Sequence, residues 1–252
     1  MKPLDQNDMV EFDEQWKNFL EKEYLTYNKD QYEFNYKRVK EFLEITGIKP
    51  WYKKDSYLKG KICLDAGCGP GRWTYAMQRL GANRVDSFDL SSEAVNRCKQ
   101  INPNAYVFDL WNLQPNSVYD FVLSWGVLHH TKDARKAFSK VVSQVKVGGM
   151  LHIMVYNKKN DWAYDGYRGD TCIEKHKVWL QMTPEERLGL CKEKVRTMGG
   201  DIHGWFDAFN PEYNWSYTSD EVKNWFEEEG FTNIKLRMIK QNINMNGIFH
   251  GK

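Results

Sequence analysis

The sequence predicts an α/β fold built on a doubly wound, mostly parallel sheet that closes in an antiparallel hairpin. Three observations carry that prediction. From about residue 60, short apolar runs alternate with helix-length polar segments, the pattern of successive βαβ units. A glycine-rich stretch, Gly67 to Gly71, stands between the first run and the helix that follows it. The chain ends in two more strand-like runs, about 231–239 and 243–250, joined through Gln241-Asn242.

The elements follow in order. At 252 residues the chain fits one α/β domain with an elaboration. Residues 1–57 read as an N-terminal helical cap. Tyr32, Tyr36, Val39 and Leu43 share a helical face, and Gly47 with Pro50 stops the run. Residues 58–252 read as the main domain. Its first five strands are expected at 62–64, 84–88, 105–108, 121–124 and 150–156, with helices at 71–80, 92–101 and 132–145 between them. Thr131 is the expected N-cap of the last helix, and Gly148-Gly149 the expected turn into the fifth strand. The alternation breaks over 158–217, which reads as an insertion on the substrate side. Within it, Thr183-Pro184-Glu185-Glu186 is a capping box with proline at the first helical position. A second box, Thr218-Ser219-Asp220-Glu221, opens a helix expected to end near Gly230.

Composition narrows the class. With 41% hydrophobic and 28% charged residues, the chain can bury a core as ordinary globular proteins do. Its longest apolar run, about 151–156, is strand-sized, far short of the roughly 18–20 residues of a membrane span. The start, Met1-Lys2-Pro3-Leu4-Asp5, lacks the apolar core of a signal peptide, so export is not expected. Five cysteines form no Cys-x-x-Cys pair and leave one over, which argues against a disulfide framework and a zinc cluster. No metal is expected, and a reducing cytoplasm is the expected compartment. A net charge of +2 gives no strong nucleic-acid footprint. Nothing in the sequence sets an oligomeric state.

The chemistry rests on Leu64-Asp65-Ala66-Gly67-Cys68-Gly69-Pro70-Gly71-Arg72, placed between a strand and a helix. Glycines there let backbone approach a ligand and expose the first amides of the helix. A dinucleotide fingerprint needs a third glycine where Arg72 or Thr74 stands. A phosphate loop needs Gly-Lys-Ser/Thr where this one ends Gly-Arg-Trp. Neither fits.

With its companions, this loop resembles the first motif of the class I, seven-stranded S-adenosylmethionine (SAM)-dependent methyltransferases, within them the methyltransferase type 11 group. The companions are Val85-Asp86-Ser87-Phe88-Asp89-Leu90-Ser91, Phe108-Asp109-Leu110, the run Tyr119 to His130, and Val147-Gly148-Gly149-Met150-Leu151, similar to the later motifs in order and spacing. Phe12-Asp13-Glu14-Gln15-Trp16 resembles an aromatic segment that precedes the core in some members.

The resemblance implies SAM as cofactor and assigns its site. Asp89 would accept the ribose hydroxyls through charge-assisted hydrogen bonds worth roughly 1.5–3 kcal/mol each. Asp109 would accept from the adenine amine while the amide of Leu110 reads the ring. Asp65 and the backbone of Gly67, Gly69 and Gly71 would face the amino-acid tail. Arg72, Leu90 and Ser124 are carried to the same site. Asp89 as a helix cap and Asp109 as turn chemistry are the plainer alternatives. Trp73 and Trp125 read as packing residues.

Methyl transfer from a sulfonium is an in-line displacement in which positioning does much of the work. A base is required only when the acceptor must shed a proton. His129 and His130, after the fourth strand, are the first candidates for it; Tyr156, Asn157, His176 and His203 follow. The acceptor pocket is expected between the N-terminal helices and the insertion, where Trp205, Phe206, Phe209, Tyr213, Trp215 and Tyr217 cluster. These rings could stack on a sugar or cage an amine, or simply pack the insertion. Asn210-Pro211-Glu212-Tyr213 stands in the wrong place for the Asn-Pro-Pro-Tyr motif of amino-methylating enzymes and carries no weight. The leading reading is O- or N-methyl transfer to a small molecule, a saccharide or other metabolite. The alternatives are methylation of RNA or protein, whose mark would be a basic stripe bordering the pocket, with Lys49, Lys53, Lys54, Lys59 and Lys61 as a modest start, and a SAM-binding subunit without catalysis.

Overall fold

Strands buried on both faces explain the near-continuous apolar runs. The computed structural model describes residues 32–48, 57–158, 172–200, 202–239 and 242–251. Seven strands form one sheet: β1 (Ile62–Ala66), β2 (Arg84–Asp89), β3 (Ala105–Val107), β4 (Tyr119–Trp125), β5 (Val145–Val155), β6 (Phe231–Ile239) and β7 (Asn242–Phe249). Their order is β3-β2-β1-β4-β5-β7-β6. Pairing is parallel from β3 to β5, and β7 runs antiparallel to both β5 and β6. The strand order therefore reverses between β1 and β4. In open α/β sheets the ligand crevice lies at the carboxyl ends of the strands at such a switch point.

Helices α1 (Tyr32–Thr46) and α2 (Arg72–Arg79) cover one face, where Phe42, Met77, Phe121 and Leu123 pack. Helices α4 (Ala134–Val142) and α8 (Ser219–Glu228) cover the other, where the Phe138 and Phe226 rings lie 5.0 Å apart. Helix α3 (Ser92–Cys98) joins β2 to β3. Gly47 adopts φ +67° immediately after α1, the left-handed conformation that suits glycine at a helix end. The side chains of Tyr32 and Tyr36, together with Pro50 and the 12–16 segment, lie outside the described residues.

The insertion contributes α5 (Cys172–Leu180), α6 (Pro184–Met198) and α7 (Ile202–Phe209). Both capping boxes form as the sequence expects, at Thr183 with Glu186 and at Thr218 with Glu221. Trp179, Cys191, Trp205, Phe206 and Phe209 make a small core of their own. Three rings of the expected aromatic cluster are thus committed to packing. Tyr217 packs on Trp225 at 4.6 Å, which leaves Tyr213 and Trp215 half-buried and stacked at 26°.

Two local expectations need correction. The cap of α4 is Asp133, whose carboxylate accepts from Lys136 N, while the Thr131 hydroxyl turns back to donate to Leu128 O at 2.7 Å. Gly148-Gly149 does not precede β5 but lies within it, where the register with β4 shifts between Tyr119 and Phe121. A Cβ on Gly149 would stand 2.8 Å from Lys146 O and 2.9 Å from Tyr119 O, so the pair makes a bulge inside a longer strand. No described helix is long and apolar enough to cross a membrane.

Candidate active site

The loop after β1 is shaped by its glycines. Gly67, Gly69 and Gly71 take φ values of +84°, +51° and +94°. The amides of Gly67 and Cys68 both donate to Phe88 O at 2.8 Å, fastening the loop to the end of β2. Gly69 N donates to Asp89 Oδ2 at 2.7 Å, and Ser91 N to Asp89 Oδ1 at 3.0 Å. The carboxylate that ends β2 therefore holds both the glycine loop and the turn into α3. The helix cap itself is Ser91, whose hydroxyl accepts from Ala94 N.

Asp65 sits behind the loop and is fully buried. Thr74 Oγ1 donates to Asp65 Oδ2 at 2.6 Å and lies 2.8 Å from Ser87 Oγ, which Asn102 supports in turn. Asp65 Oδ1 has no hydrogen-bond partner. Burial pushes this carboxyl up to about 7; the Thr74 bonds oppose the shift and the Asp89 charge adds to it. The folded chain thus holds the Asp65 proton more tightly than an unfolded chain, where an aspartate titrates near 3.9. Stability is then highest below about pH 4 on this account and falls as pH climbs to about 7. Asp65→Asn is expected to flatten that slope and raise the apo-protein Tm at pH 8, which thermal melts across pH would check.

Asp109 accepts from Trp111 N at 2.9 Å and caps a short 3-10 turn, Leu110–Asn112, beyond β3. Ser124 is buried near the end of β4, and its Oγ has no partner. Leu90 is half-buried beside Asp89. Arg72 pairs with Glu41 of α1 at 2.8 Å, and its guanidinium lies 4.2 Å from the Trp73 ring and 5.4 Å from that of Trp125. Burial pushes the Glu41 carboxyl up, but the Arg72 and Arg38 charges outweigh it and hold it below the usual range. Trp73 and Trp125 meet edge to face at 5.2 Å, as packing residues do.

The second half of the site follows β4. Gly126 and Val127 lead into a 3-10 turn, Leu128–His130. Val127 lies against the glycine loop, close enough that a Cβ on Gly67 would stand 2.3 Å from Val127 Cγ2. His129 and His130 are thus one step from that loop. Their rings lie 4.1 Å apart, and His129 also stacks on Tyr156 at 3.9 Å. His130 Nδ1 lies 3.1 Å from Tyr213 O, the polarity of a donor to a carbonyl. His130 Nε2 lies 3.5 Å from Asp207 Oδ2, an ion pair when the ring is protonated. The Tyr156 hydroxyl donates to the same Asp207 oxygen at 2.5 Å.

Asp207 was not a sequence candidate. It is the only charged side chain in Ile202–Phe209, an otherwise apolar helix apart from His203, and that lone charge was the available signal. His176 is buried in the insertion, Asn157 bridges to Tyr217, and the side chain of His203 lies outside the described residues. Asn210 accepts from Trp179 Nε1 at 3.1 Å, a bond inside the insertion. Among the described residues, no group of three or more His, Cys, Asp and Glu could hold a metal ion.

The chain matches the family model described as a methyltransferase domain over residues 37–236. It belongs to that family. The methyltransferase is accordingly SAM-dependent, and its seven-stranded sheet agrees with the resemblance drawn from the motifs. Curated relatives include tRNA U34 carboxymethyltransferases of Alteromonas mediterranea, 30% identical over 137 residues, and Campylobacter fetus, 29% identical over 119 residues. The matches cover 50% and 44% of this chain but 41% of each relative, so the chain spans about two fifths of their length. Among solved structures, magnesium protoporphyrin IX methyltransferase of Synechocystis with bound S-adenosylhomocysteine (SAH) aligns with a TM-score of 0.55 at 16% identity, over 97% of both chains. A SAM-dependent methyltransferase described as putative from Methanococcus maripaludis aligns with a TM-score of 0.51 at 17% identity, over 96% of this chain and 95% of that one. At such identities these two show the shared fold.

The residues present fit the cofactor. Buried oxygens without partners, Asp65 Oδ1 and Ser124 Oγ, lie near the carboxyl ends of β1 and β4, and three left-handed glycines shape the loop beside them. When bound, SAM supplies an activated methyl group.

Proposed function

We propose that this methyltransferase carries the methyl group of SAM to an oxygen or nitrogen of a small polar molecule, a saccharide or related metabolite. The same reading gives Asp89 the ribose, Asp109 and Leu110 the adenine, and Asp65 with the Gly67, Gly69, Gly71, Arg72, Leu90 and Ser124 positions the rest of the donor. The observation that supports a small acceptor is the docking of the insertion beside the ends of β4 and β5. Trp215 N donates to His129 O at 2.9 Å, Tyr217 N to Tyr156 O at 3.0 Å and Trp215 Nε1 to Thr131 O at 3.0 Å. An acceptor there is held between insertion and sheet. The reading treats 1–57 as a cap on 58–252 and the cytoplasm as the compartment, in line with buried free thiols at Cys63, Cys68, Cys98 and Cys191.

RNA is the second reading, favoured by the names of the curated relatives. The described lysines do not favour it. Lys59 and Lys61 precede β1, and Lys61 lies 3.8 Å from Asp120 near the start of β4, so both stand at the amino end of the sheet, opposite the glycine loop. Lys49, Lys53 and Lys54 lie outside the described residues. The test is transfer from SAM to a small-molecule panel and, separately, to unfractionated tRNA, followed by SAH release and product mass. A methyl gain on a small molecule is expected. Product on tRNA alone would replace this reading with the RNA one, and SAM uptake without any transfer would favour a non-catalytic subunit.

A further inference from the structure

On the sheet face that α1 covers, the apolar core gives way to polar side chains toward the β6 edge. The register pairs Asn246 of β7 with His152 and Lys235, and Asn244 with Met154 and Arg237, so all six share that face. The amides already have work. Asn246 Nδ2 donates to Thr46 O at 2.7 Å, and Asn244 Oδ1 accepts from Trp125 Nε1 at 3.1 Å. Burial, seconded by the Arg237 charge, pushes the His152 ring down to about 3, so it is neutral near pH 7. The two cations have no such partners. Among the described residues, neither the Lys235 nor the Arg237 side chain makes an ion pair or a hydrogen bond, and Arg237 Nε is buried.

Arg237 is not a cap on α1. Its guanidinium occupies the space beside Gly47, where a Cβ would stand 2.0 Å from Nη2 and 2.3 Å from Nε. Yet Thr46 O is taken by Asn246 and Leu43 O by Gly47 N, and the guanidinium donates to neither. A half-buried guanidinium with its donors unmet is costly, and a carboxylate or phosphate meets two of them in parallel. Lys235, exposed and two residues away on the same face, stands roughly 7 Å along the strand, near enough to add its charge. The row Arg237, Asn244, Met154, Trp125 spans three strand spacings, roughly 14 Å, and ends where the Trp125 ring lies 5.4 Å from the Arg72 guanidinium. The pair is therefore level with the carboxyl end of β4. We propose that Arg237 and Lys235 form a binding site for an oxyanion, a phosphate or carboxylate group, at the β6 edge of the sheet. Two cations this close match one such group, whereas a nucleic acid is held at many phosphates at once.

The full chain, with and without SAH, is titrated with inorganic phosphate, glucose 6-phosphate and uncharged methyl α-D-glucopyranoside. NMR signals of the arginine Nε–H groups and of phosphorus report binding. The Arg237 signal, identified by its loss in Arg237→Gln, should shift saturably with both phosphates and not with the glucoside. Arg237→Gln should weaken both phosphates about tenfold, and Lys235→Gln about threefold, with affinity for SAH by calorimetry unchanged. Lys59→Gln, at the amino end of the sheet, should leave phosphate binding as in the wild type. Two sources of the anion are told apart by SAH. Tighter binding of glucose 6-phosphate than of phosphate, only with SAH present, upholds the site as one for an anion carried by a molecule in the crevice, the expected result. Equal affinities with and without SAH uphold it as a site for a free anion. An Arg237 signal that phosphate leaves unmoved, or equal losses in Arg237→Gln and Lys59→Gln, overturns the site. Should Arg237→Gln not fold, Arg237→Lys identifies the signal and Lys235→Gln carries the comparison. The small-molecule reading stands or falls separately, on the transfer assay above.

Discussion

Gly67→Ala is expected to weaken SAH and SAM binding about a hundredfold and to lower Tm. Two separate effects add. At φ +84° an L side chain is left-handed, which is disfavoured by roughly 1–2 kcal/mol. The new Cβ would also stand 2.3 Å from Val127 Cγ2 and 3.0 Å from Cγ1, and overpacking of this kind costs roughly 1–3 kcal/mol. A hundredfold in affinity is about 2.7 kcal/mol, inside their combined range. Val127 stands between β4 and the turn that carries His129 and His130, so relief of the clash must move the loop or that turn. Val127→Ala in the Gly67→Ala background should recover the overpacking share and leave the backbone share. Calorimetry on the wild type, both single variants and the double variant would show it. If Gly67→Ala binds SAH as the wild type does, the loop does not approach the donor closely.

The fold was legible because each level of the sequence agreed with the next. Apolar runs set the strands, Thr183 and Thr218 announced their helices, and the order of motifs placed the glycine loop between the first strand and its helix. The misreadings were local. Gly148-Gly149 carries turn residues, but a bulge uses the same residues, and only pairing with β4 tells the two apart. Thr131 and Asp133 are both good caps; the choice depended on where the 3-10 turn after β4 ends.

The positions of the candidate residues were legible in the core and illegible in the insertion for a physical reason. Asp65, Asp89 and Asp109 each stand at or just beyond a strand end, which a one-dimensional pattern can place. Asp207 lies 51 residues beyond Tyr156 in the chain and reaches it through a helix packed on its own small core. No local pattern encodes that approach. The rings that looked most like a substrate cage, Trp205, Phe206 and Phe209, are the ones that build this core, on the same helix as Asp207.

Asp89→Ala is expected to weaken SAM binding at least tenfold, about 1.4 kcal/mol. The plainer role for this residue, capping α3, belongs to Ser91. What Asp89 does hold is Gly69 N at 2.7 Å and Ser91 N at 3.0 Å, so alanine removes an anchor of the loop as well as a candidate ribose acceptor. Hydrogen bonds to a charged acceptor contribute roughly 1.5–3 kcal/mol each, so the loop alone could account for the loss. A carboxylate carries about four lone-pair sites, so anchoring two amides does not by itself preclude the ribose role. A cycle of two proteins and two ligands separates them. If Asp89 accepts the ribose hydroxyls, the wild type should discriminate SAH from its 2′-deoxy analogue, and Asp89→Ala should lose that discrimination. Equal discrimination in both proteins would reduce Asp89 to a loop anchor, and unchanged affinity for SAH would remove it from the site.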